Sequence, residues 1–245
     1  MALFESPSTS PAERVRAASG RVASASGTWV LIGENVDHFG GVTLVGTSSL
    51  RAAAAVSPRT DGVISIAARG PLGQEFSAQL PYSDEPADGL ARRWWGLVHT
   101  LVQRQVLSRD TSGMDITVES DVPVGAGLGA LYAADAAIAL ALAGGHDDVD
   151  TAPFRARLAE ICSHAVDTYS SLPVLRARHS VALRGAEGVS VVDYADGSLT
   201  QAPHPSRHGV RVFSVSQELG APFTQSREAI AERRAFIDAA CSNFG

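Results

Sequence analysis

Residues 121–143 constrain this chain more than any other stretch. They begin Asp121-Val122-Pro123-Val124-Gly125-Ala126-Gly127-Leu128-Gly129-Ala130, and from 128 to 143 almost every residue is Ala, Leu or Ile, with one acid, Asp135. A run so poor in polar groups belongs inside a protein, so 128–143 is expected to be a buried helix packed closely through small side chains. The glycines before it let the backbone turn sharply and approach a ligand. The helix start offers unpaired N–H groups at the positive end of its dipole, which suits phosphate. Phosphate binding and a turn chosen only for tight packing both fit this pattern.

The rest of the chain supplies strands and further helices around that element. Apolar runs of strand length lie at 29–32, 42–45, 50–56, 63–68, 76–80 and 114–119, with Gly40-Gly41 as a tight turn. Helical spacing marks 90–107, through Trp94, Leu97, Val98, Leu101 and Val102, and a short helix is expected at 11–18. Thr151 can cap a helix that has Pro153 in its first turn and runs to Tyr169. A short helix at 175–183, a strand at 189–194, a linker at 202–208, a strand at 210–216 and a helix at 226–243 complete the reading. Mixed strands and helices without strict βαβ alternation predict an α+β fold.

Composition removes several function classes. All 20 basic residues are Arg, which excludes chemistry that needs a lysine, such as a Schiff base or a Walker-type phosphate lysine. A net charge of −6 with no basic block argues against a nucleic-acid partner. Cys162 and Cys241 are too few for a disulfide framework and have no metal-ligand spacing, so a reducing compartment and no metal site are expected. The first residues lack the apolar core of a secretory signal, and no run approaches the ~18 apolar residues of a membrane span. A soluble, cytoplasmic protein with residues 1–12 disordered is the expectation.

A second polar cluster follows the strand at 29–32. Leu31-Ile32-Gly33-Glu34-Asn35-Val36-Asp37-His38-Phe39-Gly40-Gly41 groups two carboxylates, an amide and an imidazole. Such a loop can bind the hydroxyls of a polyol or can be a capped turn with solvated charges. Taken in order, the segments resemble one family, the galactokinases among the GHMP small-molecule kinases. Residues 26–41 follow its A-P-G-R-V-N-L-I-G-E-H-T-D-Y-N-G-G motif without a gap, and residues 123–128 follow P-x-G-A-G-L-S-S-S-A. Trp94 sits at the Trp of a W-x-N-Y helix, residues 187–193 resemble E-G-x-x-x-x-I-D, and residues 227–234 resemble E-Y-x-x-R-R.

The resemblance implies a ribosomal S5 domain 2-like N-terminal domain over 13–203. Residues 204–245 would then be a linker with the first strand and helix of a partial ferredoxin-like C-terminal part. It implies phosphorylation of galactose at the C1 hydroxyl by Mg–ATP, with Glu34, Asn35 and Asp37 at the sugar and Pro123, Gly125, Ala126, Gly127, Leu128, Gly129 and Ala130 as the phosphate loop. Several positions depart from the family. Its catalytic aspartate is replaced by Arg178, which cannot accept a proton at neutral pH. Its motif arginine is replaced by Thr28, so the two positions look exchanged in charge. Its loop serines become Gly129, Ala130 and Leu131, its sugar-side glycine becomes Leu175, and its tyrosine becomes Ile230. The second-domain glycine loop has no counterpart. An impaired or inactive kinase is therefore expected, the alternatives being a sugar- or nucleotide-binding regulator and an interaction protein using neither ligand. His179, beside Arg178, reads as a surface or partly buried helix residue, and Cys162 as a core thiol beside a surface His164.

Overall fold

The computed structural model describes residues 9–16, 20–33, 36, 40–172, 174–203, 205–215 and 227–244. In chain order the elements are α1 (Pro11–Val15), β1 (Arg21–Ile32), β2 (Val42–Pro58), β3 (Val63–Arg69), β4 (Glu75–Pro81), α2 (Gly89–Gln103), β5 (Met114–Ser120), α3 (Ala130–Ala143), α4 (Ala152–Tyr169), α5 (Arg176–Arg184), β6 (Val189–Asp193), β7 (Leu199–Ala202) and α6 (Arg227–Phe244). The seven strands form one sheet in the order β4-β3-β5-β2-β6-β7, with β1 also paired to β2. Only the β3–β5 pairing is parallel; every other pair is antiparallel. This is the expected α+β class.

The two strands expected at 42–45 and 50–56 are one 17-residue strand, β2. It changes partner halfway. Residues 42–46 pair with β6 and residues 52–58 with β5, while β1 follows both parts. At the changeover the β1 register breaks: Ser26 faces Arg51 and Thr28 faces Thr47, leaving Ser48, Ser49 and Leu50 opposite Gly27 alone. A bulge of this kind bends the strand without ending it, so a local reading sees two strands where there is one.

Period-two alternation in β2 sets the layers. Ala52, Ala54 and Val56 join the main core with α2, α3 and α4, while Ala53 and Ala55 pack on Val15 of α1. Both faces are thus covered, and alanine keeps the layers close. As expected, α3 is buried nearly all round and Trp94 anchors α2 in the core.

The ends of elements account for most other differences. Of segment 1–12, residues 9–12 are described; Ser10 and Glu13 form a reciprocal capping box that starts α1, and Pro11 is buried. The α3 helix begins at Ala130 rather than 128 because Gly129 is left-handed. Thr151 precedes α4 but does not cap it through its side chain, since its hydroxyl donates to the Asp148 carbonyl at 2.8 Å. Residues 205–208, inside the expected linker, form a single 3-10 turn. The strand expected at 210–216 does not form over its described part: residues 210–215 have no ladder partner and are exposed.

Candidate functional site

The chain leaves β5 at Ser120, and the Asp121 N–H donates to the Arg51 carbonyl at 2.9 Å, which fixes where the glycine-rich loop starts. Gly125, Gly127 and Gly129 have φ of 84°, 71° and 65°, a left-handed region that side-chain-bearing residues avoid. Gly129 is the N-cap of α3 and supplies no side-chain cap to the first turn of this helix.

β1 closes one side of the loop. The Thr28 N–H donates to the Leu128 carbonyl at 2.8 Å. A Cβ on Gly27 would come within 2.9 Å of that carbonyl oxygen, so the close approach depends on glycine. α5 delivers Arg178 to the same junction. Its Nη1 donates to the Thr28 carbonyl at 2.6 Å and the Gly127 carbonyl at 3.1 Å, and the Thr28 hydroxyl lies 3.5 Å away. The two positions that look exchanged in charge are therefore hydrogen-bonded neighbours, 6% and 1% exposed. A Cβ on Gly129 would lie 2.8 Å from the Thr28 hydroxyl and 3.0 Å from Arg178 Nη1, so Gly129 is required by space as well as by φ. On the outer side, the Ser214 hydroxyl donates to the Ala126 carbonyl at 3.0 Å, laying the 210–215 segment against the loop.

Behind the loop lies a polar cluster that no sequence motif pointed to. Asp135 of α3 accepts Arg93 Nη2 at 2.5 Å, Arg93 Nε at 3.1 Å on each oxygen, and the Trp94 indole N–H at 2.9 Å. Its Oδ2 is 3.1 Å from His179 Nε2, and His179 Nδ1 is 3.1 Å from the Ser163 hydroxyl. Arg93 also donates to the Ser170 hydroxyl. His179 is thus fully buried rather than at or near the surface, because α5 turns this face onto α3 and α4. Burial alone would raise the Asp135 pKa, but Arg93 and His179 outweigh it and hold it at about 2. Burial pushes the His179 pKa below its ordinary value despite the Asp135 hydrogen bond. Ionised Asp135 and neutral His179 fix the tautomer: Nε2 donates to Asp135, and Nδ1 accepts from Ser163. The Ser–His–Asp connectivity has no catalytic access, since Ser163 is 3% exposed in the middle of α4, whose backbone N–H groups are committed to the helix. It is a structural clamp joining α2, α3, α4 and α5.

Of the sequence-derived candidates, Thr28, Arg178 and residues 123–130 come together here. Glu34, Asn35 and Asp37 lie outside the described residues. Cys162 is buried and His164 exposed, as expected. The loop suits a phosphate chain through its glycines and the uncapped helix start. It does not suit magnesium, because Gly129, Ala130 and Leu131 offer no ligand oxygen in their side chains. The acids just ahead of it, Glu119 and Asp121, are both held by Arg14.

No sequence-family profile matches this chain, and no curated protein does. Among solved structures it is similar to the Lactococcus lactis galactokinase complexed with galactose, with a TM-score of 0.60, 14% identity, and coverage of 78% of this chain and 50% of that one. It is similar to the Methanococcus jannaschii mevalonate kinase at a TM-score of 0.57 and 12% identity, covering 78% and 58%. A D-glycero-D-manno-heptose 1-phosphate kinase from Bacteriodes thetaiotaomicron gives 0.52 and 18%, covering 74% and 59%. The fold is the one these GHMP-family kinases share, and the chain spans about half the length of the structures it matches.

Proposed function

We propose that this chain is a galactokinase-like protein of GHMP fold that binds a sugar or nucleotide and does not perform the family's phosphoryl transfer. The carrying observation is Arg178, whose Nη1 sits 2.6 Å from the Thr28 carbonyl at the position where the resemblance puts the catalytic aspartate. A guanidinium stays protonated at neutral pH and cannot take the proton of an attacking hydroxyl. The missing hydroxyls at 129–131 point the same way, since the loop then lacks groups that would help orient a metal-bound nucleotide. The glycine cradle and the start of α3, which has no side-chain cap, support retained binding of a phosphate-bearing ligand. Glu34, Asn35 and Asp37 are the sugar contacts in this reading. A cytoplasmic setting fits the buried free thiol of Cys162, and no described helix is long and apolar enough to cross a membrane.

A coupled assay with Mg–ATP and a panel of sugars should show no turnover above a heat-treated control, and clear turnover would overturn the inactive reading. Thermal shifts with galactose, ATP and ADP test the binding half, because a ligand that binds only the native state raises its stability. At least one should raise Tm, and Asp37→Ala should cancel any galactose shift. No shift with any of the three would favour an interaction protein that uses neither ligand.

A further inference from the structure

Away from the glycine-rich loop, a groove of about 1040 Å³ runs along the bulge of β2, bounded by β1, the end of α5, the start of α4 and the 205–208 turn. None of residues 121–131 lines it. The geometry points to this groove as a second binding site, for a small phosphate-bearing polyol.

Charge is the first argument. Four arginines line the groove: Arg51, Arg155, Arg184 and Arg207. Arg155 is ion-paired with Asp150. Arg51, Arg184 and Arg207 have no ion-pair partner among the described residues, although acids outnumber bases in the chain and Arg14, Arg59, Arg69, Arg92 and Arg93 all have one. Glu187 is the one other acid on the groove wall, and it acts on Arg51 through space without a hydrogen bond. The groove is therefore a local excess of cations on an acidic protein.

Donor geometry is the second. Arg51 lies across β1, with Nε on the Ser24 hydroxyl at 3.2 Å, Nη1 on the Ser26 hydroxyl at 2.7 Å and Nη2 on the Ser24 carbonyl at 3.1 Å. Each serine oxygen is thereby an acceptor to a cation, and its own hydrogen has no acceptor among the described residues. Arg51, Ser24 and Ser26 thus present outward-facing donors. Arg184 uses one N–H on the Gly197 carbonyl and keeps the others. Three guanidinium groups and two polarised hydroxyls match a dianion with three oxygens better than a planar carboxylate with two. Ser48 and Ser49 line the same groove and can meet the hydroxyls of a polyol, while the Thr47 hydroxyl accepts the Gly188 N–H at 3.1 Å. The bulge makes this surface: where Ser48, Ser49 and Leu50 face Gly27 alone, the strand is turned out of its ladder.

The test is calorimetric titration of the full chain with inorganic pyrophosphate and with glucose 6-phosphate, using citrate as the carboxylate control. Wild type should bind both phosphates, with affinity falling as salt rises. The Arg51→Gln/Arg184→Gln variant should bind at least about tenfold more weakly, and Arg69→Gln, an exposed arginine outside the groove, should bind as wild type does. Arg207→Ala, in an exposed turn, should weaken binding severalfold and keeps the test valid if the double variant fails to fold. No binding to wild type, equal binding of citrate, or wild-type affinity retained in the groove variants would each overturn the assignment.

Discussion

Arg93 and Arg178 share a neighbour and little else. Their guanidinium carbons lie 5.4 and 6.0 Å from the centre of the same ring, Tyr132, whose phenol burial pushes up to about 12. Arg93 gives its charge to a carboxylate, Asp135, in a clamp closed on every side. Arg178 gives its Nη1 to two backbone carbonyls, one on β1 and one on the glycine-rich loop. The first arrangement is a finished ion pair whose work is to hold four helices. The second ties a strand to a loop. Two buried arginines thus differ in the oxygens that receive them, a carboxylate for one and backbone carbonyls for the other.

Removing Asp135 should give the largest effect. Asp135→Ala strands Arg93 as a buried, unbalanced charge, a change that costs about 3–5 kcal/mol, read as a lower urea midpoint. Arg178→Met should cost less, about 1–3 kcal/mol, for the Thr28 and Gly127 carbonyls left without their donor. If both variants cost the same, the contrast between the arginines fails. The smallest effect concerns pH. His179 is neutral and buried with its pKa lowered, so the unfolded state binds a proton that the folded state refuses. Its contribution is complete above the unfolded value near 6.5 and is lost as pH falls below it; Asp135, held at about 2 against an ordinary 3.8, adds a second loss below that. His179→Gln should flatten the first part of this acid decline in chemical denaturation, and an unchanged slope would show that the imidazole is protonated in the fold.

How legible these regions were depends on how local their causes are. The α3 helix and its glycine loop were readable because a dense run of small apolar residues admits one environment, and Trp94 because its helical neighbours share a face. The Asp135 clamp was not, since Arg93 lies 42 residues from its acid and Ser163, Ser170 and His179 carry no shared motif. The charge exchange between Thr28 and Arg178 was visible in sequence, but their contact spans 150 residues and exists only after α5 has packed on β1. The bulge in β2 was hidden for a related reason: Ser48-Ser49 reads as a break, and only pairing on both sides of it makes one strand.

The two halves of β2 also differ in when they can be completed. Ala52 pairs with Ser120, whereas Gly46 pairs with Val189, so the second half finds its outer neighbour long before the first during synthesis. Until Val189–Asp193 has left the ribosome, residues 42–46 present an open strand edge. The last strand to join β2 is thus β6, which leaves the ribosome after every strand of the sheet but β7.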